Sequence, residues 1–389
     1  MTQDFYRSPI RFDEDGFCGQ LHKHVTPELC ARLGRAAGCL FPGGRLGVAC
    51  SGAPGAKALL MALCGGMLAG GAQVWDFGAC PGVVFDFCMV QSGADFGFYL
   101  EGDTQVSLRA VRQGGIAAQR DQERKLEIKS ADLTGEEFAK PGEYTPAPAF
   151  AKRYPFALLA LTSVPLAGTG VTVRSSGREV SAMMQDALER LGCRPSPELS
   201  FQISADGRFL SAHTAATGYV FMDRLHALCC LSEFMRGGDV AVEQSAPRAL
   251  DRLASQYERR VLRYSSIQED EGAWALAGEQ LFLRDGMMMA MRVLSFLKEH
   301  DIALREALSL IPDFYLAKRF VAAGPVRQTF YPQKNGAVEV RPVKSGKGVW
   351  VLAESETAET AMELCDFYEK KIKNAPEQQE GADSEKGAV

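Results

Sequence analysis

No apolar run in this sequence reaches the ~18 residues that a membrane-spanning helix needs. No strongly basic segment stands out either, so neither a membrane nor a nucleic acid is expected as a partner. Histidine is scarce, at five residues. His22 and His24 form an H-x-H pair, but nothing nearby supplies the acidic or thiolate ligands that would complete a metal site, and a solvated loop is the better reading. His213, His226 and His300 are scattered, and spacing ties no serine or cysteine to any of them, so a hydrolase triad has no support. The glycine-rich "SGAPGAK" lies between a strand pattern and a helix pattern. It fails as a nucleotide loop because Gly52 is too close to Lys57 and Ala58 stands where a metal-binding hydroxyl belongs. It reads as a strand-helix turn.

What is present is globular in character, with 46% hydrophobic residues, 23% charged residues and a formal net charge of -5. A chain of 389 residues exceeds the ~250 to 300 at which single cores stop growing, and suits three or four small domains. Eleven cysteines are an odd number, and Cys64, Cys88, Cys229, Cys230 and Cys365 sit inside apolar helical patterns. They read as reduced, buried thiols. With no apolar run ahead of the first helix, a cytoplasmic location is expected.

Along the chain, an N-cap, an N1 proline and a first-turn acid at Thr26-Pro27-Glu28 open an amphipathic helix. "RLGVAC", "AQVWDFG" and "ADFGFYLEG" then read as strands, alternating with helices over Ala56 to Leu68 and Gly82 to Val90. Such alternation implies a parallel sheet. A polar stretch from Arg109 to about Tyr154 reads as a boundary. Beyond it come the strand patterns "FALLALTS", "VTVRSS" and "LSFQIS", with helices over Arg178 to Leu191 and Asp223 to Met235. Next are "DVAVEQ" and "RRVLRYSS", with helices over Pro247 to Tyr257 and Met287 to Lys298. Last come "AVEVRP", "GVWVLAES" and a helix from Thr357 to Lys373 with lysines in its final turn, matching the helix dipole. Domains are expected at 1–150, 151–237, 238–324 and 325–374. The polar "APEQQEGADSEKGAV" over 375–389 reads as a disordered tail.

The richest polar cluster is "VRPVKSGKG", where Arg341, Lys344, Ser345 and Lys347 crowd between two strand patterns. A forked guanidinium, two ammonium groups and a glycine turn can grip phosphate; a solvated basic hairpin is the plain alternative.

The order of these segments resembles the α-D-phosphohexomutases, the phosphoglucomutase and phosphomannomutase family, from about Phe12 to Lys373. The resemblance is carried by "VTPELCARLGRAAG", "GAQVWDFGACPG", "SGADFGFYL", "ALERLGC", "DRLHALC", "AGEQ", "DGMMMAMRVLSFL" and "AESETAETAMEL". It implies three mixed α/β domains and a small C-terminal α+β domain around a central cleft. The family's chemistry uses a phosphoserine loop T-A-S-H-N-P, a magnesium loop D-G-D-x-D-R, a sugar loop G-E-x-S-G-H and a phosphate loop R-P-S-G-T-E-P.

All four are altered here. Counting without gaps, Asp103 falls at the phosphoserine position. There it would mimic the charge of a phosphoserine, form an acyl phosphate, or serve as an ordinary loop residue. The magnesium loop falls on Ser204 to Phe209, keeping Asp206 and placing Arg208 at a ligand position. A guanidinium repels magnesium: unit charges ~4 Å apart interact by roughly 4 kcal/mol at an effective dielectric of ~20, and a divalent ion doubles that. Arg208 is expected to replace the metal by pairing with Asp206 or Asp103. The sugar loop keeps Gly278, Glu279 and Gln280 but loses its serine, glycine and histidine. The phosphate loop keeps Arg341 and Pro342 and brings Lys344, Ser345 and Lys347. The family's arginine in D-G-I-R-G is Cys18 here, and its G-R-D segment is Ala49-Cys50-Ser51, so cleft cations are lost.

These altered loops create the expectation of a non-catalytic phosphohexomutase homologue that binds a sugar phosphate or other anion, or a protein partner, with no cofactor. One alternative is an active mutase of altered mechanism, using Asp103 as carrier and Mg2+ as cofactor. Another is a purely structural or assembly protein.

Overall fold

The computed structural model describes residues 10–14, 16–133, 140–265, 270–324, 326–333, 336–344 and 346–374. The expected tail over 375–389 lies outside them. The chain forms two compact units, one ending at Pro312 and one beginning at Asp313.

The first unit opens with β1 (Phe17–Gln20), α1 (Pro27–Leu40), β2 (Arg45–Cys50), α2 (Pro54–Ala69), β3 (Gln73–Ala79), α3 (Gly82–Ser92), β4 (Phe96–Glu101), β5 (Gln105–Arg112), β6 (Ile116–Ala117), α4 (Arg120–Ala131) and β7 (Tyr144–Pro146). Thr26 caps α1 by accepting from Leu29 N–H, and Pro27 begins the helix where its missing N–H costs nothing. Strands pair in the order β1-β5-β4-β2-β3-β7, with β6 on β5. The expected parallel pairing holds for β2 with β3 and β4, while β5 returns antiparallel and makes the sheet mixed. Apolar strand residues such as Leu46, Val48, Phe96 and Phe98 pack with Leu33, Leu59 and Leu63 in one core. The polar stretch read as a boundary from Arg109 in fact contains the second half of β5 and all of α4. Helix α4 was illegible because it buries few residues and carries charge on most of its surface.

Next come α5 (Tyr154–Leu159), β8 (Thr172–Ser175), α6 (Arg178–Arg190), β9 (Ser200–Ile203), β10 (Leu210–Thr214), β11 (Gly218–Val220) and α7 (Met222–Met235). The strand expected in "FALLALTS" is instead the end of α5 and the turn after it. A short apolar run does not distinguish strand from helix, and Pro155 in the first turn favours the helix. Strands β11-β10-β9-β8 form a second sheet. Val173, Phe201 and Ala212 share a cross-strand row on its buried face. The unit continues with β12 (Val240–Glu243), α8 (Ala249–Gln256), β13 (Val261–Tyr264), α9 (Glu271–Glu279), α10 (Gly286–His300) and α11 (Leu304–Ser309); β12 and β13 pair in parallel.

The second unit holds β14 (Tyr315–Val321), β15 (Thr329–Gln333), β16 (Gly336–Pro342), β17 (Val349–Ser355) and α12 (Ala358–Lys373). Its antiparallel sheet runs β14-β17-β16-β15, and Val338, Val340, Val349 and Val351 meet Cys365 and Tyr368 of α12 in a separate core. No described helix is long and apolar enough to cross a membrane.

Candidate functional site

Asp103 stands exposed in the turn between β4 and β5. Gly102 makes that turn with φ of +93°, and a Cβ there would lie 1.9 Å from the Gln105 carbonyl oxygen, so only glycine fits. The Asp103 carboxylate accepts from Gly55 N–H at 3.1 Å, in the first turn of α2. The N-cap of that helix, Ala53, offers no side-chain acceptor. Asp103 therefore caps α2 from another element and places its negative charge at the positive end of the helix dipole.

The loop Ser204 to Phe209 joins β9 to β10 and is built around Asp206. Its Oδ1 accepts from Ser204 Oγ and from Arg208 N–H at 3.2 Å, and Ser204 Oγ accepts from Phe209 N–H at 2.9 Å. Gly207 takes φ of +87°, where a Cβ would come 2.5 Å from Val83 Cγ2. Neighbouring helices hold the loop in place: Val83 N–H donates to the Asp206 carbonyl at 3.3 Å and Gly286 N–H to the Gly207 carbonyl at 2.9 Å.

From this loop the Arg208 guanidinium reaches two carboxylates. Its Nε lies 3.3 Å from Asp206 Oδ2, as one of the two expected pairings had it. Its Nη2 lies 2.6 Å from Oδ2 of Asp86 in α3, and Arg109 Nη2 of β5 lies 2.9 Å from the other oxygen of the same carboxylate. Asp86 is 5% exposed, so the two guanidinium groups satisfy a charge that could not stand alone. Burial opposes the charge on Arg208, but Asp86, Asp206 and Glu101 outweigh it and raise its pKa above the ordinary value. At the end of β4, burial pushes the Glu101 carboxyl up and Asp206 adds to the effect, against Arg109 and Arg208. Asp86, Arg109 and Glu101 were missed in the sequence. For Asp86 a signal existed, since it is the lone charge in the apolar helix "GVVFDFCMV".

A magnesium ion needs near-octahedral oxygen ligands. These residues do not fit one: Asp206 already faces Arg208, and both oxygens of Asp86 are taken by guanidinium groups. Among the described residues no group of three or more His, Cys, Asp or Glu side chains could hold a metal.

The other sequence-predicted residues lie elsewhere. Glu279 is exposed at the end of α9. Gln280 is buried, and its amide is committed to the backbone beside β12, accepting from Ala241 N–H at 2.9 Å and donating to the Asp239 carbonyl at 2.8 Å. In the second unit, Arg341 is the next-to-last residue of β16 and half-buried. Lys344 and Lys347 follow in a turn closed by Val343 N–H to the Gly348 carbonyl at 3.0 Å and Gly346 N–H to the Val343 carbonyl at 2.9 Å. Ser345 lies outside the described residues.

No family model matches the chain. A probable phosphoglucosamine mutase from Thermococcus gammatolerans is 29% identical over 120 residues, which cover 30% of this chain and 27% of that protein's length. Solved structures match far more of it. A phosphoglucomutase/phosphomannomutase family protein from Burkholderia thailandensis superimposes with a TM-score of 0.72 at 16% identity, covering 94% of this chain and 97% of that one. A putative phosphomannomutase from Thermus thermophilus gives 0.71 at 16% identity, covering 95% and 100%. N-acetylphosphoglucosamine mutase of Aspergillus fumigatus, solved with GlcNAc-6P and magnesium, gives 0.57 at 9% identity, covering 94% and 96%.

Proposed function

Starting from a chain with the mixed α/β fold of the phosphohexomutases, we propose that it is a non-catalytic member of that superfamily, cytoplasmic, binding a sugar phosphate or another small anion. The observation that carries this reading is the Arg208 guanidinium, held by Asp206 and Asp86 in the loop where the resemblance puts magnesium ligands. Phosphoryl transfer depends on positioning and on neutralising charge at the moving group. A fixed guanidinium already saturated by two carboxylates has little charge left to offer, and Asp103 spends its carboxylate on the end of α2. A sugar phosphate as ligand is supported by GlcNAc-6P in the Aspergillus relative and by the basic turn of Arg341, Lys344 and Lys347. Eleven free cysteines support a reducing compartment.

The purified chain is to be assayed for interconversion of glucose 1-phosphate and glucose 6-phosphate, and of the mannose pair, with and without Mg2+. In parallel, mass spectrometry looks for a phosphoryl adduct after incubation with glucose 1,6-bisphosphate. The expected result is no turnover and no adduct under any condition. A sugar phosphate at 100 times its dissociation constant is expected to stabilise the fold by about 2.7 kcal/mol. Mg2+-dependent turnover, or an acyl phosphate on Asp103, would sink the reading.

A further inference from the structure

The sheet β8–β11 buries one face, while the other carries polar and aromatic side chains. Arg174, Gln202 and Ser211 are register partners and so form one cross-strand row. Two phenyl rings flank the β10–β11 hairpin: Phe209 just before β10 is 64% exposed, and Phe221 just after β11 is 71% exposed. Exposed rings of this size grouped around one concavity are unusual on a protein surface and mark binding sites. Along this face runs an open groove of about 830 Å³, lined among others by Arg174, Ser176, Gln202, Phe209, Phe221 and Asp223. Ligand sites typically span ~300 to 1,000 Å³ and combine apolar walls with a few convergent polar groups.

We propose that this groove, which takes in Ser204 and Phe209 of the loop described above, binds a nucleoside phosphate, a ligand distinct from the proposed sugar phosphate. Each part of such a ligand has a chemical counterpart. Arg174, with Ser175 and Ser176, stands at the carboxyl end of β8, in a parallel pair with β9; the crevice outside the carboxyl ends of such strands is where α/β sheets take their ligands. Arg174 makes no hydrogen bond or ion pair with another described residue, so its fork is available to a phosphate. Phe209 and Phe221 offer faces to a planar base. Asp223, exposed in the first turn of α7, is an acceptor suited to a ribose hydroxyl, the task acidic residues perform in dinucleotide folds. A bare anion would leave both rings in water, and a sugar alone would leave the guanidinium unused.

The test uses the full chain in calorimetric titrations and thermal shifts with AMP, dAMP, GMP, UMP, adenosine, ribose 5-phosphate and inorganic phosphate. Arg174, Phe221 and Asp223 are exposed, so Arg174→Met, Phe221→Ala and Asp223→Asn should keep the fold, which circular dichroism checks. At least one nucleoside monophosphate is expected to bind tenfold or more tightly than ribose 5-phosphate or adenosine. Arg174→Met and Phe221→Ala should each weaken it at least tenfold, and Asp223→Asn should narrow the gap between AMP and dAMP. The proposal fails if no nucleotide binds, if phosphate or ribose 5-phosphate binds equally well, or if binding ignores Arg174→Met and Phe221→Ala.

Discussion

Asp285 caps α10 from a fully enclosed position, accepting from Met287 N–H, Met288 N–H and the Tyr154 hydroxyl at 2.9, 3.0 and 2.7 Å. Burial nonetheless pushes its carboxyl up to about 7, with Asp86 adding to the effect and the three donors opposing it. An unfolded aspartate titrates near ~3.9, so between about pH 4 and pH 7 the folded chain holds a proton that the unfolded chain has lost. The stabilisation from this group is complete below about pH 4 and is lost as pH rises through about 7. At about 1.4 kcal/mol for each pH unit between the two affinities, the loss is roughly 2 to 4 kcal/mol. Asp285→Asn keeps an acceptor for the amides and cannot ionise. Urea unfolding at pH 5 and pH 8 should therefore show wild-type stability falling by more than that of the variant. Parallel pH profiles for the two proteins would refute this account.

At the scale of elements, the Asp86 carboxylate joins α3 to β5 through Arg109 and to the β9–β10 loop through Arg208. Asp86→Ala leaves the Arg109 guanidinium without its carboxylate and Arg208 with Asp206 alone, and breaking a buried pair in this way costs about 3 to 5 kcal/mol. Both arginines keep some solvent access, which puts the expected loss at the low end, about 3 kcal/mol by urea unfolding. The double variant Asp86→Leu with Arg109→Leu should be more stable than Asp86→Ala, because it removes the stranded charge with its partner and leaves Arg208 paired with Asp206. If Asp86→Ala unfolds at the wild-type midpoint, the carboxylate is not what holds these elements. This cluster also shows where sequence reading stops. Helices α6, α10 and α12 were legible to within about two residues because their apolar positions recur with helical period. Arg208 was legible as a charge at odds with a metal loop, and its pairing with Asp206 was within reach at two residues' distance. Asp86 lies 122 residues from Arg208, and no local pattern reports a contact that only the tertiary fold creates. The apolar run after Tyr154 misled for a related reason: Tyr154 is fully buried against Phe87 and bonded to Asp285, and these distant contacts fix it in a helix.

Across the whole molecule, all eleven cysteines are free; Cys18, Cys39 and Cys193 are partly accessible and the other eight are buried. The buried thiols lie in the cores of both units, from Cys30 and Cys64 in the first sheet's core to Cys365 on the buried side of α12. Burial also makes the thiolate costly, pushing Cys30, Cys64 and Cys88 up to about 12. Only the thiolate reacts with alkylating reagents, so access and ionisation both protect the same residues. Intact-mass analysis after brief maleimide treatment at pH 7.5 should find no more than the three partly accessible thiols modified, and all eleven after treatment in denaturant. Because protected thiols sit in both units, the number modified at intermediate denaturant follows the opening of each: Cys365 reports the C-terminal sheet and helix, and Cys30 and Cys64 report the N-terminal core. Rapid modification of Cys30 or Cys64 in the native chain would mean that the first core opens on the labelling timescale, which its complete enclosure of Leu33, Leu46 and Leu63 argues against.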